Sequence, residues 1–330
     1  MTRLVLRIDV GALVVISTVA PGEGDSTSAA STSPELSDGI GLRLAEVPVD
    51  AADDPRARLY IVDHVAPGAT IHRAIEVSNG SDSPQHVSLY PGAASITDGT
   101  FLAADGHTPN DLSSWTSIDP AETDLASAGA ETATVTIAVP ADAAPGEQYA
   151  LIWAEAQSAS DSGVVAVNRV GIRVYLSVGA GGAPSADFTV DSLAAGRADG
   201  QPLVIAPVHN TGGRALDLPG TLELSDGPGG LNAGPFAVNL NTTVAVGGTE
   251  PVTAELDKEI PDGPWTATIT LRSGLQERTA TASITFPRSG TATAVTASES
   301  FLWWPYAVLA GLVLVAVAVF MLLRRRSKAV

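Results

Sequence analysis

The chain has 330 residues, a formal charge of −18, 45% apolar and 5% aromatic residues, and no cysteine. This apolar content supports packed cores in about two domains and excludes wholesale disorder. The missing cysteines exclude disulfides, thiolate metal sites and a cysteine nucleophile, and the acidic balance argues against nucleic-acid binding, which needs basic surface to displace counterions.

At the start of the chain, Arg3 and Arg7 precede an uncharged stretch from Val10 to Ala20. That length suits a signal-peptide core and is too short to span a bilayer. The small residues Ser28-Ala29-Ala30-Ser31 favour a cut after Ala30. Residues 1–30 therefore read as an export signal, and 31–38 as a disordered leader.

From residue 39 onward the hydrophobic period is mostly two, the period of a strand with one apolar face. Val135, Ile137 and Val139 alternate with Thr134, Thr136 and Ala138. Val170, Ile172, Val174 and Leu176 alternate with Gly171, Arg173 and Tyr175. Trp265, Ala267, Ile269 and Leu271 alternate with Thr266, Thr268, Thr270 and Arg272, and Ala280, Ala282, Ile284 and Phe286 with Thr279, Thr281, Ser283 and Thr285. Pro67-Gly68, Asn79-Gly80, Asp98-Gly99, Pro145-Gly146 and Asp262-Gly263 supply turns between such runs. Short strands with frequent turns predict an all-β chain of two tandem immunoglobulin-like β-sandwiches. The side-chain-poor run Gly179-Ala180-Gly181-Gly182-Ala183-Pro184-Ser185 divides them as a linker. One sandwich then covers 39–178, the linker 179–185, the second sandwich 186–287, and residues 288–300 form a flexible stalk. The two units also look related. In each, a strand ends on an Asn turn (Asn79-Gly80 and Asn210-Thr211-Gly212), and a later Pro/Gly turn opens a strand with an aromatic.

Residues 301–323 are an uncharged run. At 1.5 Å per residue they reach about 35 Å, enough for one transmembrane helix. Trp303, Trp304 and Tyr306 suit an interfacial belt, and Arg324, Arg325, Arg326 and Lys328 place residues 324–330 on the cytoplasmic side. The expected topology is a single-pass cell-membrane protein anchored in the lipid bilayer through residues 301–323. Its outer segment, 31–300, holds 33 acidic and 12 basic residues.

A search for chemistry finds little. His64, His72, His86, His107 and His209 form no close ligand pair, and no Gly-x-Ser-x-Gly elbow occurs. Asp50, Asp53 and Asp54 cluster before Pro55, either a cation loop without the EF-hand pattern or a solvated turn. The Gly-rich stretch 225–234 lacks the Lys-Ser/Thr pair of a phosphate loop and reads as an inter-strand loop. No catalytic residue, metal ligand or cofactor emerges. Trp153 reads as core. Trp115, set among polar residues, is the one ligand-binding candidate: it either stacks on a ligand or packs on its own sandwich.

The order of parts resembles the WxL-interacting protein family of Gram-positive cell surfaces. The resemblance rests on Pro67-Gly68 before the strand 69–78, on Asn79-Gly80-Ser81-Asp82-Ser83-Pro84, on 112–118, and on Val139-Pro140 followed by Pro145-Gly146-Glu147-Gln148-Tyr149. It implies an N-terminal peptidoglycan-binding sandwich, a second domain for surface or host partners, and association with proteins carrying Trp-x-Leu, a motif this chain lacks. No catalytic residues follow from it. The expected function is a non-enzymatic surface scaffold that holds peptidoglycan or a Trp-x-Leu surface protein. An accessory subunit or hydrolase of wall remodelling, and a passive spacer, are the alternatives.

Overall fold

The computed structural model describes residues 39–48, 54–159, 165–238 and 242–299. The first unit runs β1 (Ile40–Leu44), β2 (Ile61–Val65), β3 (Thr70–Asn79), β4 (Gln85–Thr97), β5 (Thr100–Ala103) and a one-turn helix α1 (Asp111–Ser114). It continues through β6 (Thr116–Asp119), β7 (Glu122–Leu125), β8 (Ala130–Ala138), β9 (Gly146–Ala159) and β10 (Val165–Val178). One sheet has the order β1-β3-β8-β6, and the other β2-β10-β9-β4-β5 with β7 also on β4. This is the immunoglobulin-like arrangement of two facing sheets. The period of two sends Ile75, Val77, Val135 and Ile137 from one sheet, and Ile152, Ala154, Val170 and Ile172 from the other, into a common core.

The second unit runs β11 (Phe188–Val190), β12 (Ser192–Ala198), β13 (Gln201–Asn210), β14 (Leu216–Asp217), β15 (Gly220–Ser225) and β16 (Ala233–Ala237). It continues through β17 (Thr243–Val244), β18 (Thr249–Glu255), β19 (Trp265–Ser273) and β20 (Gln276–Ile284). One sheet centres on β13, flanked by β11 and β12 on one side and β18 on the other. The facing sheet has β16, β15, β19 and β20 in that order. Trp265 lies in the core between them, its ring against Gly227, where a Cβ would sit 2.1 Å from the indole. Its Nε1 donates to the Pro261 carbonyl at 2.9 Å.

The two Asn turns are the same device built twice. Asn79 and Asn210 are both buried. Asn79 Nδ2 donates to the carbonyls of Ser83, Leu125 and Ala126, and its Oδ1 accepts from Ser81 N. Asn210 Nδ2 donates to the carbonyls of Arg214, Val244 and Ala245, and its Oδ1 accepts from Gly212 N. In both units the amide closes its own turn and clamps two successive carbonyls of the facing segment. Even the first-strand pairing matches, with Ile40 opposite Asn79 and Phe188 opposite Asn210.

Two expectations change in detail, and the linker acquires contacts. The stretch 288–300, expected as a flexible stalk, carries three further strands, β21 (Gly290–Thr291), β22 (Val295–Thr296) and β23 (Ser298–Glu299). β21 and β22 pair with β12, and β23 pairs with β20. Small Thr, Ala and Ser side chains look featureless in a sequence, but ladder bonds need only backbone. Trp153 is buried as expected, yet it lies on the outer face of its sheet, with Tyr90, Phe101 and Tyr175, instead of between the sheets. The linker is tied at both ends: Gly179 N donates to the Val65 carbonyl, and the Ser185 carbonyl accepts from Gly213 N, both at 2.9 Å.

Among the described residues no helix is long and apolar enough to cross a membrane. The expected export signal 1–30, leader 31–38, span 301–323 and tail 324–330 lie outside the described residues, as do Asp50 and Asp53.

Candidate functional site

The residues singled out for chemistry do not converge. Trp115 ends α1, where its N–H donates to the Asp111 and Leu112 carbonyls and its carbonyl accepts from Ala138 N. Its side chain packs, half-buried, against the core of its own sandwich. The histidines are dispersed. His72 meets Thr136 Oγ1 at 2.9 Å, His209 meets Thr249 Oγ1 at 2.8 Å, and His64 meets the Gly181 carbonyl at 3.2 Å. His107 stacks on Tyr90 with ring centroids 3.9 Å apart. His86 bonds Asp124 at 2.8 Å, and that hydrogen bond holds its pKa above the ordinary value. Asp54 caps the 3₁₀ turn Pro55–Arg58 by accepting from Arg56 N. The Gly-rich stretch 225–234 links β15 to β16. No group of three metal-ligating side chains occurs among the described residues.

The concentrated polar site is one that sequence reasoning missed: the seam between the sandwiches. On β9 and β10 the residues that point away from the first core include Tyr149, Leu151 and Trp153, paired across one hairpin with Tyr175, Arg173 and Gly171 in turn. With Phe101 and Tyr90 they form an aromatic platform that Ala215 of the second unit joins. Tyr149 and Phe101 both meet the Tyr175 ring, at centroid distances of 5.9 and 5.3 Å.

Asp217, on the two-residue strand β14, is set into this platform. Its Oδ2 lies 3.0 Å from Arg56 Nη2, and its Oδ1 lies 3.2 Å from Arg173 Nη1. The same Oδ1 accepts from the Tyr175 hydroxyl at 3.2 Å and from Thr243 Oγ1 at 2.7 Å. All three charged residues are buried, at 8% exposure for Arg56, 6% for Arg173 and 8% for Asp217. The guanidiniums also lie over rings: Arg56 is 4.6 Å from the Tyr175 centroid, and Arg173 is 4.8 Å from that of Phe101.

Backbone groups complete the seam. Arg56 Nη1 donates to the Ala215 carbonyl at 2.8 Å, and Ala215 N donates to Glu147 Oε2 at 2.6 Å. Glu147 Oε2 also accepts from the Tyr149 hydroxyl at 2.7 Å. Thr243 N donates to the Gly99 carbonyl at 2.7 Å, which ties β17 to the β4–β5 turn. Gly99 adopts φ +70° there, and a Cβ would sit 3.0 Å from Glu250 Oε2, so glycine suits both backbone and space.

The electrostatics follow from this burial. Burial opposes the charge on Arg56, but Asp217, Tyr175, Glu147 and Asp54 together hold its pKa above the ordinary arginine value. Arg173 is held up in the same way, against burial, by Tyr175, Asp217 and Tyr60. Burial also pushes the Tyr175 and Tyr149 hydroxyls up, helped by Asp217 and Glu147 respectively. Glu147 is raised by burial despite the bonds from Tyr149 and Ala215 and the nearby arginines 56 and 214. Chemically the seam pairs its buried charges, while Arg56 Nε and the indole Nε1 of Trp153 are buried without a hydrogen-bond partner. Its role is to hold one unit against the other.

No protein-family model matches the chain, and no curated protein does. Among solved structures it is similar to the E. coli chaperone DraB, at 13% identity over 73% of this chain and 95% of that one, with a TM-score of 0.38. It is also similar to the Salmonella enterica SafA pilin in complex with the SafB chaperone, at 9% identity, 78% and 95% coverage and a TM-score of 0.41. The periplasmic chaperone SfaE gives 13% identity, 78% and 98% coverage and a TM-score of 0.36.

The seam left one signal in the sequence. Strand residues out of phase with a core are usually Thr, Ser or charged, as they are on β19 and β20. On β9 three successive outward positions are Tyr149, Leu151 and Trp153, and β10 sets Tyr175 beside Arg173. A strand that is apolar or aromatic in both phases is covered on both faces.

Proposed function

We propose that this chain is a non-enzymatic surface scaffold whose two joined sandwiches are exported, anchored through residues 301–323, and used to hold peptidoglycan or a Trp-x-Leu surface protein. The observation that carries the scaffold reading is the seam. Buried ion pairs from Arg56 and Arg173 to Asp217 join the units through side chains, beyond the linker alone. A protein that positions a partner above a membrane benefits from such a joint, because each unit then inherits the orientation of the other. The anchor is supported by the uncharged run before Arg324, Arg325 and Arg326. The choice of partner is supported by the resemblance to the WxL-interacting family in the first unit.

The test is direct. A soluble protein of residues 31–300 is sedimented with purified peptidoglycan and, separately, mixed with a Trp-x-Leu surface protein. Retention on one of them is expected, and Trp115→Ala reports whether that ring is part of the contact. Retention on neither overturns the partner assignment. Clear wall hydrolysis by the same protein, lost on one point change, overturns the non-enzymatic reading. Protease added to intact cells is expected to digest residues 31–300 and spare the terminal arginines.

A further inference from the structure

The strands that close the second sandwich also fix which of its ends faces the uncharged run 301–323. β23 pairs antiparallel with β20, Ser298 opposite Thr281 and Glu299 opposite Ala280. The chain therefore leaves Glu299 directed back along β20, toward the β19–β20 turn between Ser273 and Gln276. Only Ser300 separates Glu299 from the uncharged run. With β21 and β22 on β12 and β23 on β20, the expected stalk is spent on pairing. The two steps from Glu299 to Phe301 reach at most about 7 Å. The four from Ala280 to Gln276 extend about 13 Å along β20. In the direction of β23, the turn thus extends beyond the start of the uncharged run.

Leu275 sits on that turn and belongs to neither core. At 71% it has the highest exposure of any large apolar side chain among the described residues. Its neighbour Gly274 adopts φ +57°, and a Cβ there would lie 3.0 Å from Asp54 Oδ1. The turn therefore rests on the cap of the 3₁₀ turn Pro55–Arg58 of the first unit. Leu59 follows that 3₁₀ turn and is exposed as well. The charges beside the two leucines balance, with Arg58, Arg272 and Arg278 against Asp54, Asp187 and Glu277. In the segment 31–300 as a whole, 33 acidic residues face 12 basic ones. An anionic leaflet therefore repels this end less than it repels the segment at large.

We propose that the β19–β20 turn lies in the headgroup layer of the lipid bilayer, with Leu275 inserted and the second sandwich seated on the membrane. This contact rests on the reading of residues 301–323 as the span. The tether selects the occupant. The same chain that ends the sandwich carries it to the lipid, at an effective concentration that a free partner does not match. The side chains suit that layer. Leu275 leaves water there, while the guanidiniums of Arg272 and Arg278 stay at the polar boundary. Through the seam the first unit inherits the same orientation, so the turn sets how the whole scaffold stands above the bilayer.

The chain has no cysteine, so one introduced thiol carries a probe to a single place. Leu275→Cys and, as a control, Leu231→Cys are made in the full chain, labelled with a polarity-sensitive fluorophore and reconstituted into phosphatidylcholine vesicles. Leu231 is also exposed, but it lies past the Ser225–Thr266 row at the other end of the sheet. Thr266 is itself about 23 Å from Ser273 at roughly 3.3 Å per residue. Flotation with the vesicles reads the anchor, and quenching by lipid bearing a shallow nitroxide reads the contact. Both variants are expected to float. The Leu275 probe shifts to the blue on reconstitution, and nitroxide lipid lowers its emission about twofold, as for a side chain held roughly 5–10 Å into the headgroup boundary. The Leu231 probe shows neither change. A chain that floats while its Leu275 probe behaves like the Leu231 probe overturns this contact and leaves the anchor standing. A chain that does not float overturns the anchor, and the contact falls with it.

Discussion

The β9–β10 and β19–β20 hairpins hold the same place in their two sandwiches, and their inward faces obey one rule. Ile152, Ala154, Val170 and Ile172 fill the first core as Ala267, Ile269, Ala280 and Ala282 fill the second. Their outward faces are opposites. The first presents Trp153, Arg173 and Tyr175, which are buried, and Tyr149, which is half-buried, while the second presents the half-buried Thr266, Thr268, Thr270, Thr279 and Thr281. The two tryptophans follow suit: Trp265 is between the sheets and Trp153 is outside them. A sandwich needs only one phase of each strand for folding, which leaves the other phase free to diverge. In the first unit that free phase became a joint, and in the second it stayed open.

The sharpest way to break this contrast is Asp217→Ala. It strands two buried guanidiniums and should cost about 3–5 kcal/mol, read from denaturant midpoints at constant m. A cost below about 1 kcal/mol would mean that the seam holds nothing. Next come the paired turns. Asn79→Ala and Asn210→Ala each leave buried carbonyls without their donor and should each cost about 1–3 kcal/mol. Similar losses at the two sites confirm the repeated device, while an effect at only one dissolves the equivalence.

A smaller effect is expected from pH. The folded pKa of Glu147 is raised, so the fold favours its protonated form. Its contribution is therefore fully present below the ordinary value of 4.5 and is lost as pH rises through the raised folded value. Glu147→Gln should flatten that stretch of the stability–pH curve in urea titrations. Smallest of all is Thr268→Ala on the open face, which should stay within about 0.5–1 kcal/mol. A larger loss would show that the threonine rows serve the fold itself.

Much of the architecture was legible because it rests on local signals. Alternation around Val135, Val170, Ile269 and Ile284 marked the strands and their inner phase. The Asn79 and Asn210 turns were visible because Asn bonds nearby backbone, a constraint written within a few residues. The Gly-rich run 179–185 falls between β10 and β11. What escaped depends on distance along the chain. Asp217 sits on a strand of two residues and meets Arg173 forty-four positions away and Arg56 still farther. No spacing in the sequence announces such a meeting. Trp153 was recognised as buried, but hydrophobicity alone does not say which side of a sheet is covered. The strands at 290–299 escaped for the opposite reason, since their pairing draws on backbone and leaves composition uninformative.

Those last strands have a mechanical consequence. If the chain is pulled from beyond residue 299, the load reaches β23 first, then β22, then β21, each of which is only two residues long. They would unzip one after another, releasing ten residues and about 34 Å of slack before tension arrives at β20 and its nine-residue partnership with β19. The end of the second sandwich is thus held by three short pairings that a pull would load in series.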